Sequence, residues 1–459
     1  LKYIFLFLLF IASHSTIKSQ TAAQLKEYKK LAKDIISRAL TEEKGYKLLT
    51  ELSKIGSRLS GSRGSYESIN WAEERMLDLG MDTVWLQECR VPHWVRGEVE
   101  SLSIIADSNN NRPLAIAALG GSIGTSADGI TANVIEVTSF EDLEAHKELV
   151  KNKIVFYNFP FDITQVNTFK GYSTAVKYRV YGASRAAKFG ALAAIVRSVG
   201  TNTDNVPHTG TMRYDENLPK IPTAAIGNLD ADYLSSAIAA NDSLKLNLKL
   251  SCKNLPDTLG YNVIGELKGS ELPNEIVLIG GHFDSWDKGI GMHDDGGPCI
   301  QTMEAIYLLK QLGIRPKRTI RCVLFANEEN GGRGSKKYAE EAVKDSSIYH
   351  LAALESDRGV FTPRGFSVTA DSAVIETMRN WLPILNECLI DWIRPGGSGA
   401  DVSKIKNAKA LIGFVPDSQR YMDLHHSEKD VLDAVHPREM ELGSAAIAIL
   451  ALLISDFGL

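Results

Sequence analysis

The chain lacks the features that would mark a nucleic-acid binder, a disulfide scaffold or a transmembrane protein. Lys and Arg number 51 against 56 Asp and Glu, a formal net charge of −5, so there is no basic excess to neutralise phosphates. Cysteine is sparse and odd in number, with five in 459 residues at Cys89, Cys252, Cys299, Cys322 and Cys388. None has metal-motif spacing and one thiol at least is unpaired, so no disulfide framework is inferred. Cys299 and Cys322 fall within helix and strand patterns and read as small buried apolar residues. There is no internal repeat and no low-complexity tract. The N-terminal apolar run, YIFLFLLFIA, covers ten residues, too few to cross a bilayer. With Lys2 before it and polar residues up to Gln20 after it, residues 1–19 read as a secretory signal. The rival is an N-terminal anchor. A secreted or periplasmic location follows from the first reading, with no membrane attachment after cleavage.

What is present is enough apolar residue for sizeable cores, 44% of a chain too long for one ordinary domain. Short apolar runs precede a set of polar residues: EIVLIGG leads into His282, TIRCVLFA into Glu328-Glu329, and HLAALES into Asp357. Such runs suit strands buried on both faces of a parallel sheet. A helical pattern from Pro298 to Leu312 separates the first two, and one from Ser335 to Lys344 the next two. Strand, helix, strand, helix, strand implies parallel strands with right-handed crossovers, whose carboxyl ends open into one crevice. The fold class is therefore α/β, a mixed and largely parallel sheet sandwiched by helices. A final helix from Pro437 to Leu453, begun by proline and rich in Ala, Ile and Leu, packs on that sheet.

His282, Asp294, Glu329, Asp357 and His426 are then expected to converge. Any one alone reads more simply as a loop residue, a helix cap or a hydrogen-bonded histidine. As a set they are imidazole and carboxylate ligands without thiolate, which suits zinc, with cobalt or manganese as alternatives. Five ligands exceed what one zinc needs. If Asp294 bridges, each of two metals has two further ligands and an open position, as in sites whose ions lie about 3.5–4 Å apart. Asp284, two residues after His282, is placed to accept the second ring N–H of that histidine.

GGHFDSWDKGIGMHDDGG, FANEENGGRGS, LESDRG and LHHSEKD resemble the metal motifs of co-catalytic zinc exopeptidases. IGSRLSGSRG, VPHWVRGE, GSIGTSADGITANVIEVTSF, PHTGTMRY and KIPTAAI extend the likeness to the carboxypeptidase Q family, from about residue 45 to the C-terminus. The resemblance implies one metal on His282, Asp294 and Asp357, another on Asp294, Glu329 and His426, and Glu328 as general base. The family's pattern of His, a small hydroxyl residue and Asp four positions after the His selects His426 over His425, with Asp430 as that acid. His425 is left as a substrate contact. Related aminopeptidases carry an oxyanion-stabilising tyrosine or histidine; RPGGSGAD has no tyrosine, and Tyr421 is a weak substitute. Residues 125–252, with strand runs and a helix expected near Tyr181–Phe189, are similar to a protease-associated insert interrupting a catalytic domain of 20–124 and 253–459. Its PHTGTMRY segment, with His208 and Tyr214, is expected at the cleft wall or a subunit contact. A homodimer is implied as well. The function expected is a secreted exopeptidase with two Zn2+ per chain acting on dipeptides and short peptides. The alternatives are an aminopeptidase on the same site, a single-zinc glutaminyl cyclase-like transferase, and a non-catalytic binding protein.

Overall fold

The computed structural model describes residues 21–105 and 111–459, so the expected signal segment lies outside the described residues. Two eight-stranded sheets organise the chain. In the first, the strand order is Thr83–Val95, Lys253–Leu267, Arg318–Phe325, Leu272–His282, Tyr349–Glu355, Ala410–Pro416, Pro363–Thr369 and Trp392–Pro395. The four strands Arg318–Phe325, Leu272–His282, Tyr349–Glu355 and Ala410–Pro416 run parallel, and the register sets His282 beside Phe325, and Gly280 and Gly413 on either side of Glu355. Their carboxyl ends therefore finish at one edge, the place where an α/β sheet presents ligands.

The connecting helices form where expected, at Gly297–Gln311 and Arg333–Lys344. The C-terminal helix Pro437–Phe457 is long and apolar enough to cross a membrane, but it is buried in the main core with Ala22–Glu42, Lys44–Ser53 and Gly297–Gln311. Each Leu or Ile it buries removes apolar surface from water, about 1.5–3 kcal/mol per side chain. The opposite face is covered by Tyr338, Val402 and Ile405. All five cysteines are free and buried.

The second sheet orders Arg112–Leu114, Glu100–Ile105, Lys245–Leu250, Ile130–Val137, Ile154–Tyr157, Ala193–Arg197, Thr223–Ile226 and Ile116–Ala118. It begins at Glu100, so the boundary expected between 124 and 125 falls inside it. Pairing is the reason: Ser101 through Ile105 register against Lys249 through Lys245, and Ile116 through Ala118 against Ile226 through Ala224. The helix expected near Tyr181–Phe189 starts much earlier, spanning Thr168–Ala187, with Asn167 Oδ1 accepting the Phe169 N–H at 3.2 Å.

The sheets are joined through motif residues. Trp286, from the segment after His282, sits in the second sheet's core against Trp94, ring centres 6.2 Å apart. Arg96 Nε donates to Asp287 at 2.9 Å and Nη1 to the Ala118 carbonyl at 2.7 Å.

Candidate active site

The five expected ligands meet at the carboxyl edge of the parallel strands. Asp294 lies centrally, its Oδ1 at 3.2 Å from His282 Nε2 and its Oδ2 at 3.2 Å from His426 Nε2. Asp357 Oδ1 is 3.5 Å from His282 Nε2, and Glu329 Oε2 is 3.0 Å from His426 Nε2. Two half-sites therefore share one aspartate. His425 stacks on His426 with centroids 3.5 Å apart, but its Nε2 is farther from Asp294, at 3.6 Å.

Local structure fixes each group. His282 ends its strand, and Asp357 stands two residues past the strand that ends at Glu355. Asn327, with φ 64°, turns the chain so that Glu328 faces the cleft while Glu329 is buried. Asp430 Oδ1 accepts the His293 N–H at 2.7 Å and Oδ2 the Asp294 N–H at 3.0 Å, which fixes the backbone at the central aspartate. Asp295 turns away and accepts the His282 N–H at 2.9 Å. It also falls within reach of His282 and Asp357, but that backbone bond commits one of its oxygens to holding the strand end.

Asp284 departs from expectation in its atom. His282 Nδ1 meets the Asp284 backbone carbonyl at 3.0 Å, while the carboxylate Oδ1 is at 3.8 Å. The carboxylate accepts the Glu328 N–H at 2.9 Å and the Ser60 hydroxyl at 3.3 Å instead. The strand end curls back on itself, which brings the carbonyl, not the side chain, against the ring.

Sequence reasoning passed over Arg58, in the loop of IGSRLSGSRG. It is fully buried, donating from Nε to the Phe283 carbonyl at 2.8 Å, from Nη1 to Ile290 at 2.7 Å and from Nη2 to Gly291 at 2.8 Å. The segment between His282 and Asp294 is thereby pinned. The signal was an arginine inside a Gly- and Ser-rich loop, where a solvated charge is the simpler reading.

The second sheet's unit closes the other side of a cleft of ≈ 540 Å³. Thr211, Met212 and Arg213 of PHTGTMRY line it, as do Phe169, Tyr172 and Arg179 of the helix Thr168–Ala187. Tyr421 and His425 line it too, Tyr421 stacking on Phe169 at 5.3 Å. His208 does not reach the cleft; it is buried behind His425, with Nδ1 2.6 Å from the His425 carbonyl. A substrate contact at His208 is thus corrected to a supporting one. The Thr209 N–H donates to the His426 carbonyl at 2.9 Å, so the pair of histidines is gripped by this segment while His426 holds φ at 60°.

The electrostatics call for cations. Burial, then Asp357, Asp401 and Glu329, push Glu328 well above the usual carboxylate range; burial, then Asp294, outweigh the pull of His426 and raise Glu329. Burial opposes charging of His282, yet Asp294, Asp295 and Asp357 raise it well above normal; His426, likewise opposed by burial, is raised to about 9 by Glu329 and Asp294. Asp294 Oδ2 and Glu329 Oε1 are buried without a hydrogen bond. Unsatisfied buried carboxylate oxygens facing imidazole Nε2 atoms are the donor set that zinc takes, so the residues present fit a metal pair.

The family model described as Peptidase family M28 matches residues 262–448, the stretch that holds all five expected ligands and Glu328. Carboxypeptidase Q of Bos taurus is 36% identical over 438 residues, covering 94% of this chain and 90% of the bovine one. The chain belongs to the carboxypeptidase Q family, within peptidase family M28. Carboxypeptidase Q of Homo sapiens is also 36% identical, covering 93% of this chain and 89% of its own. The crystal structure of a peptidase M28 precursor from Shewanella amazonensis superposes with a TM-score of 0.89 at 33% identity, covering 94% of this chain and 97% of that one. A zinc aminopeptidase from Bacillus subtilis, at 19% identity and TM-score 0.64 over 90% of this chain and 94% of its own, shares the fold. Membership makes the chain a metallo-exopeptidase, a hydrolase of peptide bonds.

Proposed function

We propose that the chain is a secreted dinuclear zinc exopeptidase that hydrolyses dipeptides and short peptides, with Glu328 as general base. The observation that carries this reading is the division of Asp294, one oxygen toward His282 Nε2 and the other toward His426 Nε2, each at 3.2 Å. His282, Asp294 and Asp357 would hold one zinc, and Asp294, Glu329 and His426 the other. When bound, the pair would polarise the scissile carbonyl and bring the pKa of a water toward about 7.

The chain's own residues do the rest. Glu328 faces the cleft and takes the proton released as water attacks the carbonyl carbon; it returns that proton to the leaving amine as the C–N bond breaks. Asp284 orients Glu328 through its backbone N–H at 2.9 Å. The unit built on the second sheet, read here as a protease-associated insert, walls the cleft and so limits substrates to short peptides. His425 and Tyr421 face the substrate there. Secretion, on the N-terminal segment 1–19, and a homodimer, on the family resemblance, complete the reading; a monomer by light scattering would count against the second.

Removal of zinc by a chelator should abolish peptidase activity, and zinc should restore it, with two ions per chain at full activity by elemental analysis. Full activity at one ion per chain would favour the single-zinc transferase, and activity untouched by chelation would refute the metal mechanism.

A further inference from the structure

The two walls of the cleft differ in polarity. One carries Asp294, Glu328, Glu329 and Asp357; the other carries Tyr172, Arg179 and Arg213 from the second sheet's unit. Among the described residues the Lys and Arg side chains lining the cleft are Arg179, Arg213 and Lys404. Lys404 is committed, its Nζ at 2.7 Å from Ser335 Oγ, 3.2 Å from the Ala400 carbonyl and 3.8 Å from Asp401. Arg179 is buried and spends its terminal nitrogens on the Tyr172 hydroxyl at 2.7 Å, His426 Nδ1 at 3.3 Å and the Thr209 carbonyl at 3.5 Å, leaving Nε without a partner.

Arg213 stands apart. Among the described residues its guanidinium has no ion pair or hydrogen bond, yet its backbone is fixed. Its N–H donates to the Val180 carbonyl at 2.9 Å, and its carbonyl accepts from Ser184 Oγ at 3.3 Å, both on the helix that carries Tyr172 and Arg179. Tyr172 and Arg179, seven apart, share one helix face. The Tyr172 oxygen accepts from Arg179, and its own O–H proton has no acceptor among the described residues. Tyr172 and Arg213 thus offer donors in the cleft, and Arg179 adds positive charge behind them. Such a wall has little to offer an α-ammonium and suits an anion.

We propose that Arg213, with the Tyr172 hydroxyl braced by Arg179, is the subsite for the free α-carboxylate of the peptide. The inference rests on the exopeptidase reading. It assigns direction: the carbonyl side of the scissile bond lies at the ligand cluster, and the leaving residue points its carboxylate at the second sheet's unit.

The test uses the zinc-loaded full chain and a pair of substrates, a dipeptide with a free carboxyl end and its C-terminal amide. The wild type should prefer the acid. In Arg213→Ala the acid-over-amide ratio of kcat/KM should fall about tenfold or more, mainly through KM for the acid, as expected for a lost charge-assisted bond. Arg213→Lys should recover part of the ratio, and Tyr172→Phe should lower it less than Arg213→Ala. Because the Arg213 side chain makes no hydrogen bond or ion pair among the described residues, its variants are expected to fold. A ratio unchanged by Arg213→Ala, or a wild type indifferent to amidation, overturns the subsite while peptidase activity stands. Hydrolysis of neither substrate overturns both readings.

Discussion

The carboxylate of Asp284 accepts the backbone N–H of Glu328 at 2.9 Å, joining the segment after His282 to the proposed general base. Its effect should therefore run through Glu328 rather than through His282, whose Nδ1 is served by the Asp284 carbonyl at 3.0 Å. Asp284→Ala keeps that carbonyl. We expect kcat to fall about 10- to 100-fold, with zinc content by elemental analysis little changed. Zinc lost in proportion to activity would place the carboxylate's role at the histidine.

Two neighbouring histidines make a second contrast. His426 Nε2 lies 3.0 Å from Glu329 and 3.2 Å from Asp294, whereas His425 Nε2 lies 3.6 Å from Asp294. His426→Ala should lower zinc stoichiometry toward one per chain; His425→Ala should retain two and lose turnover. Calorimetric zinc titration of the stripped protein separates the two, and the reverse pattern would exchange their roles.

His282, Glu328, Glu329 and Asp357 could be placed from the sequence because each stands at or just past the end of an unbroken apolar strand, and parallel register brings those ends to one edge; Asp294 and His426 lie beyond helical turns and rested on the motif resemblance. The second wall could not be placed. The helix Thr168–Ala187 contains Gly171 and Gly182, each a penalty of about 1 kcal/mol in a helix, and its N-terminal half was not recognised. Tertiary packing explains both glycines: a Cβ on Gly171 would come within 2.4 Å of Phe161, and one on Gly182 within 2.9 Å of Tyr157. Tyr172 and Arg179 were therefore invisible as cleft residues. Strands of three residues such as Arg112–Leu114 and Ile116–Ala118 carry no periodicity to detect, so the second sheet seemed to start too late. Asp284 was found for its position, yet which of its oxygens meets His282 depends on a backbone turn that spacing does not encode.

Arg58 offers a prediction on stability and metal affinity together. Burial pulls its pKa down, but three backbone carbonyls, of Phe283, Ile290 and Gly291, hold the guanidinium. Arg58→Met fills similar volume and removes every donor, at a cost of roughly 3 kcal/mol or more. The thermal midpoint should drop, and zinc affinity should weaken because the freed segment carries Asp294. Arg58→Lys, unable to reach three carbonyls at once, should fall between. An unchanged midpoint in Arg58→Met would mean that the segment is held without it.

A buried acid pair far from the cleft predicts how stability responds to pH. Glu304, on the helix Gly297–Gln311, and Glu441, on Pro437–Phe457, are both fully buried; Glu441 Oε1 accepts the Tyr46 N–H at 2.9 Å, while its Oε2 and both Glu304 oxygens have no partner. Burial, then the proximity of Glu304, push Glu441 up to about 10, and burial raises Glu304 as well. One proton shared between them engages one oxygen of each. A carboxyl whose folded pKa exceeds its unfolded value of about 4.3 stabilises the fold fully only below that lower value. The contribution is lost as pH rises through about 10. The thermal midpoint should therefore decline from about pH 4.3 upward and level off above about 10. Glu441→Gln supplies a permanent donor to Glu304 and removes one ionisation, so the decline should be shallower than in the wild type. Parallel slopes, measured on zinc-free protein to keep ligand titration out of the comparison, would show that the pair ionises without consequence for folding.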